Sequence, residues 1–219
     1  MHSTVKNLLE IENNIKVNLI KLNINNYPKI IAVSKTFKIE KILPLVEYGH
    51  IDFGENKVQE AAEKWEKIKK IKSEIKLHMI GKLQTNKVKL AVQLFDYIHS
   101  VDNEKLAKKI VDEQNKINKK IKIFLQVNIG DESQKSGINK NDVSRLVSYC
   151  KEINLDLIGL MCIPPANIDP DGYFEEMNKL NRTLNLTELS MGMSSDFLIA
   201  AKHFSTYVRI GSSIFGHRY

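Results

Sequence analysis

IIAVSKTFKIEKILPLVEYGHIDFGEN, residues 30–56, sets the pattern for the whole chain. Ile30 to Val33 is a short apolar run and reads as a buried strand. Behind it Ile39, Ile42, Leu43 and Val46 recur at helical spacing, with Pro44 expected to kink or shift that helix. IDFG (51–54) then returns to strand. Lys35 sits where the first strand should be ending, and desolvating an ammonium there is costly. Either the residue lies past the strand end and is wet, or its amine is held in a pocket for chemistry.

The same alternation continues. Candidate strands are 29–34, 51–54, 77–81, 97–100, 122–128, 155–161, 188–192 and 207–211. Helical stripes fit 38–48, 56–71, 84–94, 103–118, 140–152, 171–184 and 195–203, each explained by core packing. Strands alternating with helices imply parallel strands joined by crossovers. Eight of them in 219 residues predict a (β/α)₈ TIM barrel, a single α/β domain over residues 1–219. Losing the short IDFG or YIHS would leave an open sheet instead. An additional amphipathic helix, 4–22, precedes the first strand, and either the barrel bottom or a partner could take its apolar face. IPPANIDPDG (163–172) reads as one long connection, not a domain boundary.

Composition is that of an ordinary globular protein, 42% hydrophobic and 27% charged. The net charge of +7 raises nucleic acid as a partner, but the lysines alternate with glutamates along helices such as EKWEKIKKIKSEIK and no recognition motif accompanies them. No nucleic-acid partner is expected. Cys150 and Cys162 form neither a metal-ligand spacing nor a disulfide framework. No metal site is expected, and the thiols fit a reduced, cytoplasmic protein. No stretch resembles a signal peptide or a membrane span.

In a barrel the chemistry gathers where strands end. There the sequence delivers Lys35, the Gly54–Asn56 turn, GKLQTNK, Asn128, Met161 with Cys162, MGMSSD (191–196) and RIGSSIFG (209–216). The last two carry glycines and hydroxyls just before helix starts, a composition suited to phosphate. Ser194, Ser195 and Asp196 could equally be helix caps. Arg209 interrupts an apolar strand, and it either meets a ligand or pairs with a barrel carboxylate. An amine, a phosphate cradle and a partner for a pyridine nitrogen are what pyridoxal 5′-phosphate (PLP) requires. A Schiff-base aldolase or a phosphosugar enzyme uses similar parts.

AVSKTF, FGENKVQE, LHMIGKLQTNK, NIGDESQKSG, IGLMCIP, LSMGMSSDF and VRIGSSIFG occur in the order seen in the pyridoxal phosphate homeostasis proteins. That family is similar to the barrel domain of alanine racemase, and the resemblance covers about residue 30 to the C-terminus. It implies PLP held as a Schiff base on Lys35, with Asn56 beside the cofactor. Ser194, Gly211 and Ser212 then hold its phosphate, and Arg209 faces the pyridine nitrogen. Met161 and Met193 line the pocket or simply pack. His78 is a hydrogen-bonded interior residue, and Asn86 an amide that steadies its loop. Ser212 stands where the family commonly has Thr, which keeps the hydroxyl.

An Arg at the pyridine nitrogen disfavours protonating it and weakens the ring as an electron sink. Alanine racemase also has a β-rich second domain for which this chain leaves no room. The resemblance therefore implies a monomeric PLP carrier that stores the cofactor or delivers it to PLP-dependent apoenzymes, with little or no turnover. The alternative is a PLP-dependent amino-acid racemase.

Overall fold

The computed structural model describes residues 1–132, 134 and 136–216. Positions 133 and 135 of the NIGDESQKSG motif, and 217–219, lie outside the described residues.

The strands are β1 (Lys29–Val33), β2 (Asp52–Glu55), β3 (Lys76–Met79), β4 (Tyr97–Val101), β5 (Lys122–Asn128), β6 (Ile138–Asn139), β7 (Leu157–Cys162), β8 (Glu188–Ser190) and β9 (Tyr207–Ile210). All their pairings are parallel. The ring runs β1, β2, β3, β4, β5, β7, β8, β9 and back to β1, while β6 is a two-residue addition beside β5. Closure comes from β4 against β5, with Tyr97 opposite Lys122 and Ile98 opposite Ile123. The two runs on which the strand count rested, IDFG and YIHS, are both strands of this closed (β/α)₈ barrel.

Crossover helices cover the outside: α2 (Ile39–Tyr48), α3 (Val58–Ile71), α4 (Val88–Leu94), α5 (Glu104–Lys116), α6 (Val143–Glu152), α7 (Asp171–Thr183) and α8 (Phe197–Lys202). After β9 comes only the four-residue α9 (Ser212–Phe215). Helix α2 continues through Pro44 to a left-handed cap at Gly49.

The opening helix, α1 (Ser3–Lys21), packs against α2, α8 and α9. Its buried residues Val5, Leu8, Ile11, Ile15 and Leu19 fall at three- and four-residue steps and so form one face. Asn7 Nδ2 donates to the Ile214 carbonyl at 2.9 Å. With α9 so short, α1 completes the helical layer between α8 and α2, which is where its apolar face is spent.

Inside the ring, Ile31, Tyr97, Phe124, Met161 and Tyr207 make a core separate from the one between strands and helices. Buried polar side chains also occupy these strands: Asp52, His78, His99, Ser190 and Arg209. Barrel strands need not be apolar on both faces, provided that every inward polar group finds a partner.

If α1 is part of the core, Leu8→Ala, at a position with no exposure, lowers the unfolding free energy by about 3 kcal/mol. Val17→Ala, on the exposed side of the same helix, costs under about 0.5 kcal/mol. Urea unfolding midpoints of the two variants provide the measurement.

Candidate functional site

A cavity of 510 Å³ opens at the C-terminal rim of the barrel. Lys35, Asn56, Met193, Ser194, Arg209, Gly211 and Ser212, all seven residues singled out from the sequence, line it. Val33, Phe37, Ile80, Ile163, Ser195 and Gly216 complete the wall. No described lining residue is acidic, so its two formal charges, Lys35 and Arg209, are both positive.

The loop that carries Lys35 is fastened from below. Glu55, at the end of β2, has no exposure, and its Oε1 accepts from Ser34 Oγ (2.7 Å), Lys64 Nζ (2.9 Å) and Trp65 Nε1 (2.9 Å). Lys64 Nζ also donates to the Ser34 carbonyl at 2.9 Å. One α3 lysine thus ties the residue before Lys35 to a buried carboxylate. Just after Lys35 the chain turns through Thr36 at φ 68°, unfavourable for a β-branched residue. The Thr36 N–H donates to Glu60. Burial pushes the Glu60 carboxyl up, but the Thr36 and Lys64 hydrogen bonds outweigh it, and the net shift is downward.

The MGMSSD turn is not a simple helix cap. The Asp196 carboxylate accepts from the Met193 N–H rather than from α8, and Asp196 N donates to the Met193 carbonyl, which braces the turn. Ser194 Oγ lies 3.4 Å from both Gly211 N and Ser213 N, so the two turns meet at one oxygen. Gly192 adopts φ 92°, and a Cβ there would lie 2.5 Å from Ala200 Cβ. Across the mouth, a Cβ on Gly81 would lie 2.5 Å from the Asn56 carbonyl oxygen. Asn56 reaches the cavity because residue 81 has no side chain.

Arg209 is 5% exposed. The sequence left open a salt bridge to a barrel carboxylate. Instead its Nη1 donates to the Ser190 carbonyl (2.7 Å) and Ser190 Oγ (2.8 Å), and its Nη2 to the Cys162 carbonyl (2.9 Å). Burial moves its pKa below the ordinary guanidinium value.

The chain is similar to known proteins in both sequence and fold. The family model described as "Alanine racemase, N-terminal domain" covers residues 7–219. The pyridoxal phosphate homeostasis protein of Aquifex aeolicus is 37% identical over 203 residues, 88% of each chain. That of Haemophilus influenzae is 38% identical over 208 residues, 88% of this chain and 86% of its own. The chain belongs to the pyridoxal phosphate homeostasis protein family. PipY of Synechococcus elongatus, solved both without and with PLP bound, is 32% identical. Its PLP-free form superposes with a TM-score of 0.83, covering 92% of this chain and all of PipY. An alanine racemase from Clostridium difficile, 16% identical with a TM-score of 0.67 over 57% of its length, shares the fold alone.

Of the other residues read from the sequence of this family member, Met161 and His78 take their packing readings and Asn86 departs from its own. Met161 does not line the cavity; it is fully buried among Ile31, Tyr97, Phe124 and Tyr207, because its strand position faces the barrel core below the mouth. His78 is the interior histidine expected, at 2.9 Å from Asp52 and 3.0 Å from His99. Asn86 is exposed and makes no side-chain hydrogen bond among the described residues, so it does not steady its loop. Cys162 closes β7, and burial pushes its thiol up to about 12, as it does for Cys150. Neither is a nucleophile at neutral pH.

Sequence reasoning passed over Glu55, Lys64, His99 and Ser190. His99 carried the same signal as Arg209, a polar residue inside a buried strand, within YIHS. The others look ordinary until tertiary contacts assemble them.

Lys64→Met leaves the Glu55 carboxylate buried beside the Lys35 loop without its counter-ion. Unfolding free energy should fall by about 3–5 kcal/mol. Lys70→Met, which breaks the exposed pair with Glu66, should cost under about 1 kcal/mol. Denaturant titration of both variants separates these outcomes.

Proposed function

We propose that this protein binds PLP in the rim cavity and serves PLP homeostasis, storing the cofactor and delivering it to PLP-dependent apoenzymes with little or no turnover. The observation that carries this reading is the lining itself: one lysine, one buried guanidinium and two hydroxyl-bearing turns around a space without a described carboxylate. That donor set suits a phosphorylated aldehyde. The likeness to PipY, solved with PLP bound at 32% identity, supports it.

When bound, PLP supplies an aldehyde for an amine and a pyridine ring able to drain electrons from an attached amino group. Lys35 provides the amine and so the covalent attachment point. Gly211 and Ser213 aim their N–H groups at a single oxygen position, now filled by Ser194 Oγ at 3.4 Å. Those contacts are long for hydrogen bonds, and a phosphate oxygen is the stronger acceptor. Ser212 adds its hydroxyl on the same turn. Asn56, after β2, and Met193, after β8, add to the wall of the same space.

Arg209 decides the chemistry. A guanidinium has five N–H donors and no acceptor. Three of its hydrogen bonds go to Ser190 and Cys162, which leaves two donors. A ring nitrogen facing it can only accept, and so stays unprotonated and draws electrons weakly. Racemisation also needs a second proton-exchanging group across from the lysine. Among the described lining residues Lys35 and Arg209 are the ionisable side chains, and Arg209 is committed to Ser190 and Cys162. Both points favour a carrier over a racemase. The buried, unpaired thiols of Cys150 and Cys162 fit the cytoplasm as its compartment, and the carrier acts as a monomer.

Borohydride reduction of the PLP-loaded protein, followed by peptide mapping, should place the label on Lys35. Lys35→Ala should take no label at that peptide. A label confined to another lysine, or amino-acid enantiomer exchange at enzymatic rates, defeats the carrier reading.

A further inference from the structure

A line of hydrogen bonds crosses the barrel beneath Arg209. Asp52 Oδ1 lies 2.9 Å from His78 Nε2, and His78 Nδ1 lies 3.0 Å from His99 Nε2. His99 Nδ1 is 2.8 Å from Ser190 Oγ, which is 2.8 Å from Arg209 Nη1. The five residues come from β2, β3, β4, β8 and β9, and the His99–Ser190 bond joins two strands that are not neighbours in the ring.

We propose that Ser190, His99, His78 and Asp52 are positioning residues for Arg209, forming one directional chain that fixes the guanidinium and supplies its counter-charge from the far end of the barrel. The importance of that orientation for PLP rests on the function proposed above; the chain itself does not.

The direction follows from donor inventory. Arg209 can only donate, so Ser190 Oγ accepts from it. Ser190 is fully buried, and its hydroxyl hydrogen has one acceptor within reach, His99 Nδ1. His99 Nδ1 is therefore bare, and its proton sits on Nε2, aimed at His78. His78 Nδ1 accepts that bond, and His78 Nε2–H donates to Asp52. Every group then donates and accepts in step, and the chain ends on a carboxylate.

The competing arrangement is an ion pair between a His78 imidazolium and Asp52. It reverses two bonds, so that His99 donates to Ser190 from one side and Arg209 from the other. The buried serine hydrogen is then stranded, at the cost of an unsatisfied polar group. Burial also holds both imidazoles below their ordinary pKa, His99 more strongly, with His78 and Arg209 adding to the shift. Burial pushes the Asp52 carboxyl up, but the His78 hydrogen bond and nearby positive groups outweigh it. Tyr97 stacks on His78 at 4.2 Å and Phe124 on His99 at 4.3 Å, so neither ring can turn freely.

This device solves a conflict at the mouth. A carboxylate directly on Arg209 would neutralise it but would also repel a phosphorylated ligand. Placing Asp52 at the start of β2, with neutral groups between, balances the buried cation and leaves the cavity without negative charge.

The test uses the full chain without PLP, labelled with ¹⁵N at histidine and arginine. Long-range ¹H–¹⁵N spectra at neutral pH, assigned with His78→Gln and His99→Gln, should show both rings protonated at Nε2 and bare at Nδ1. An imidazolium at His78, or an Nδ1–H on either ring, overturns the direction. Arg209 should give separately resolved Nη resonances, the signature of a guanidinium that does not rotate. Ser190→Ala should lose that resolution and should move the His99 Nδ1 resonance. Resolved Arg209 signals surviving in Ser190→Ala, or absent from the wild type, overturn the positioning role. Correct tautomers in a protein that takes no PLP would defeat the proposed function and leave the chain standing.

Discussion

The pairing of β4 with β5 is the constraint on which the rest depends. Without it the strands would make an open sheet with two raw edges and a line of strand ends. With it, the C-terminal ends of all eight ring strands lie around one mouth, because every pairing is parallel. Lys35 after β1 and Gly211 after β9 are brought together by the β1–β9 pairing, although 176 positions separate them in the sequence. No local feature of either segment could produce that contact. Closure also creates a dry interior where polar groups interact strongly and must all be satisfied.

That interior divides the electrostatic work between two places. At the mouth the charge is positive, with Lys35 and Arg209 in the wall. Their supports lie beneath it: Glu55, reached by Lys64, Ser34 and Trp65, and Asp52, reached through two imidazoles and a hydroxyl. Neither carboxylate lines the ligand space, and Asp52 lies at the opposite end of β2 from Glu55. A buried cation costs least when its counter-charge is near, but a ligand phosphate is best received by groups whose positive charge is not already spent. Distance through a hydrogen-bonded path meets both needs.

Most of the framework was legible because barrel strands and crossover helices follow different apolar periods. All eight ring strands could be read, even the short IDFG and YIHS, because turn residues and helical stripes bracketed them. What escaped was whatever depends on contact between distant segments. The place of α1 could not be read, since its apolar face is answered by α2, α8 and α9 from both ends of the chain. β6 is two residues long and α9 four, below the length at which any period shows. Met161 was left between the pocket and the packing, because a position along a strand does not reveal depth in the barrel. At the rim, Lys35, Arg209 and the two glycine- and serine-bearing turns stood out at strand ends, each with a structural alternative, and the family resemblance rather than spacing singled out Asn56 and Met193. Whether they hold PLP is a matter for the labelling of Lys35, not for their spacing.

The hydrogen-bond chain explains why one barrel spends His78 and His99 on positions where valine or leucine would pack at lower cost. A leucine at position 99 would strand the Ser190 hydroxyl, and a leucine at 78 would leave Asp52 buried without a donor. Removing one link therefore penalises the next, and the set is stable only as a whole. Its orientation is dictated from one end, since Arg209 alone among the five has no acceptor. The same property that, in the proposed function, would deny a bound ring nitrogen its proton thus sets the tautomer of two histidines below the mouth. One guanidinium thereby links the wall of the cavity to the packing of the barrel beneath it.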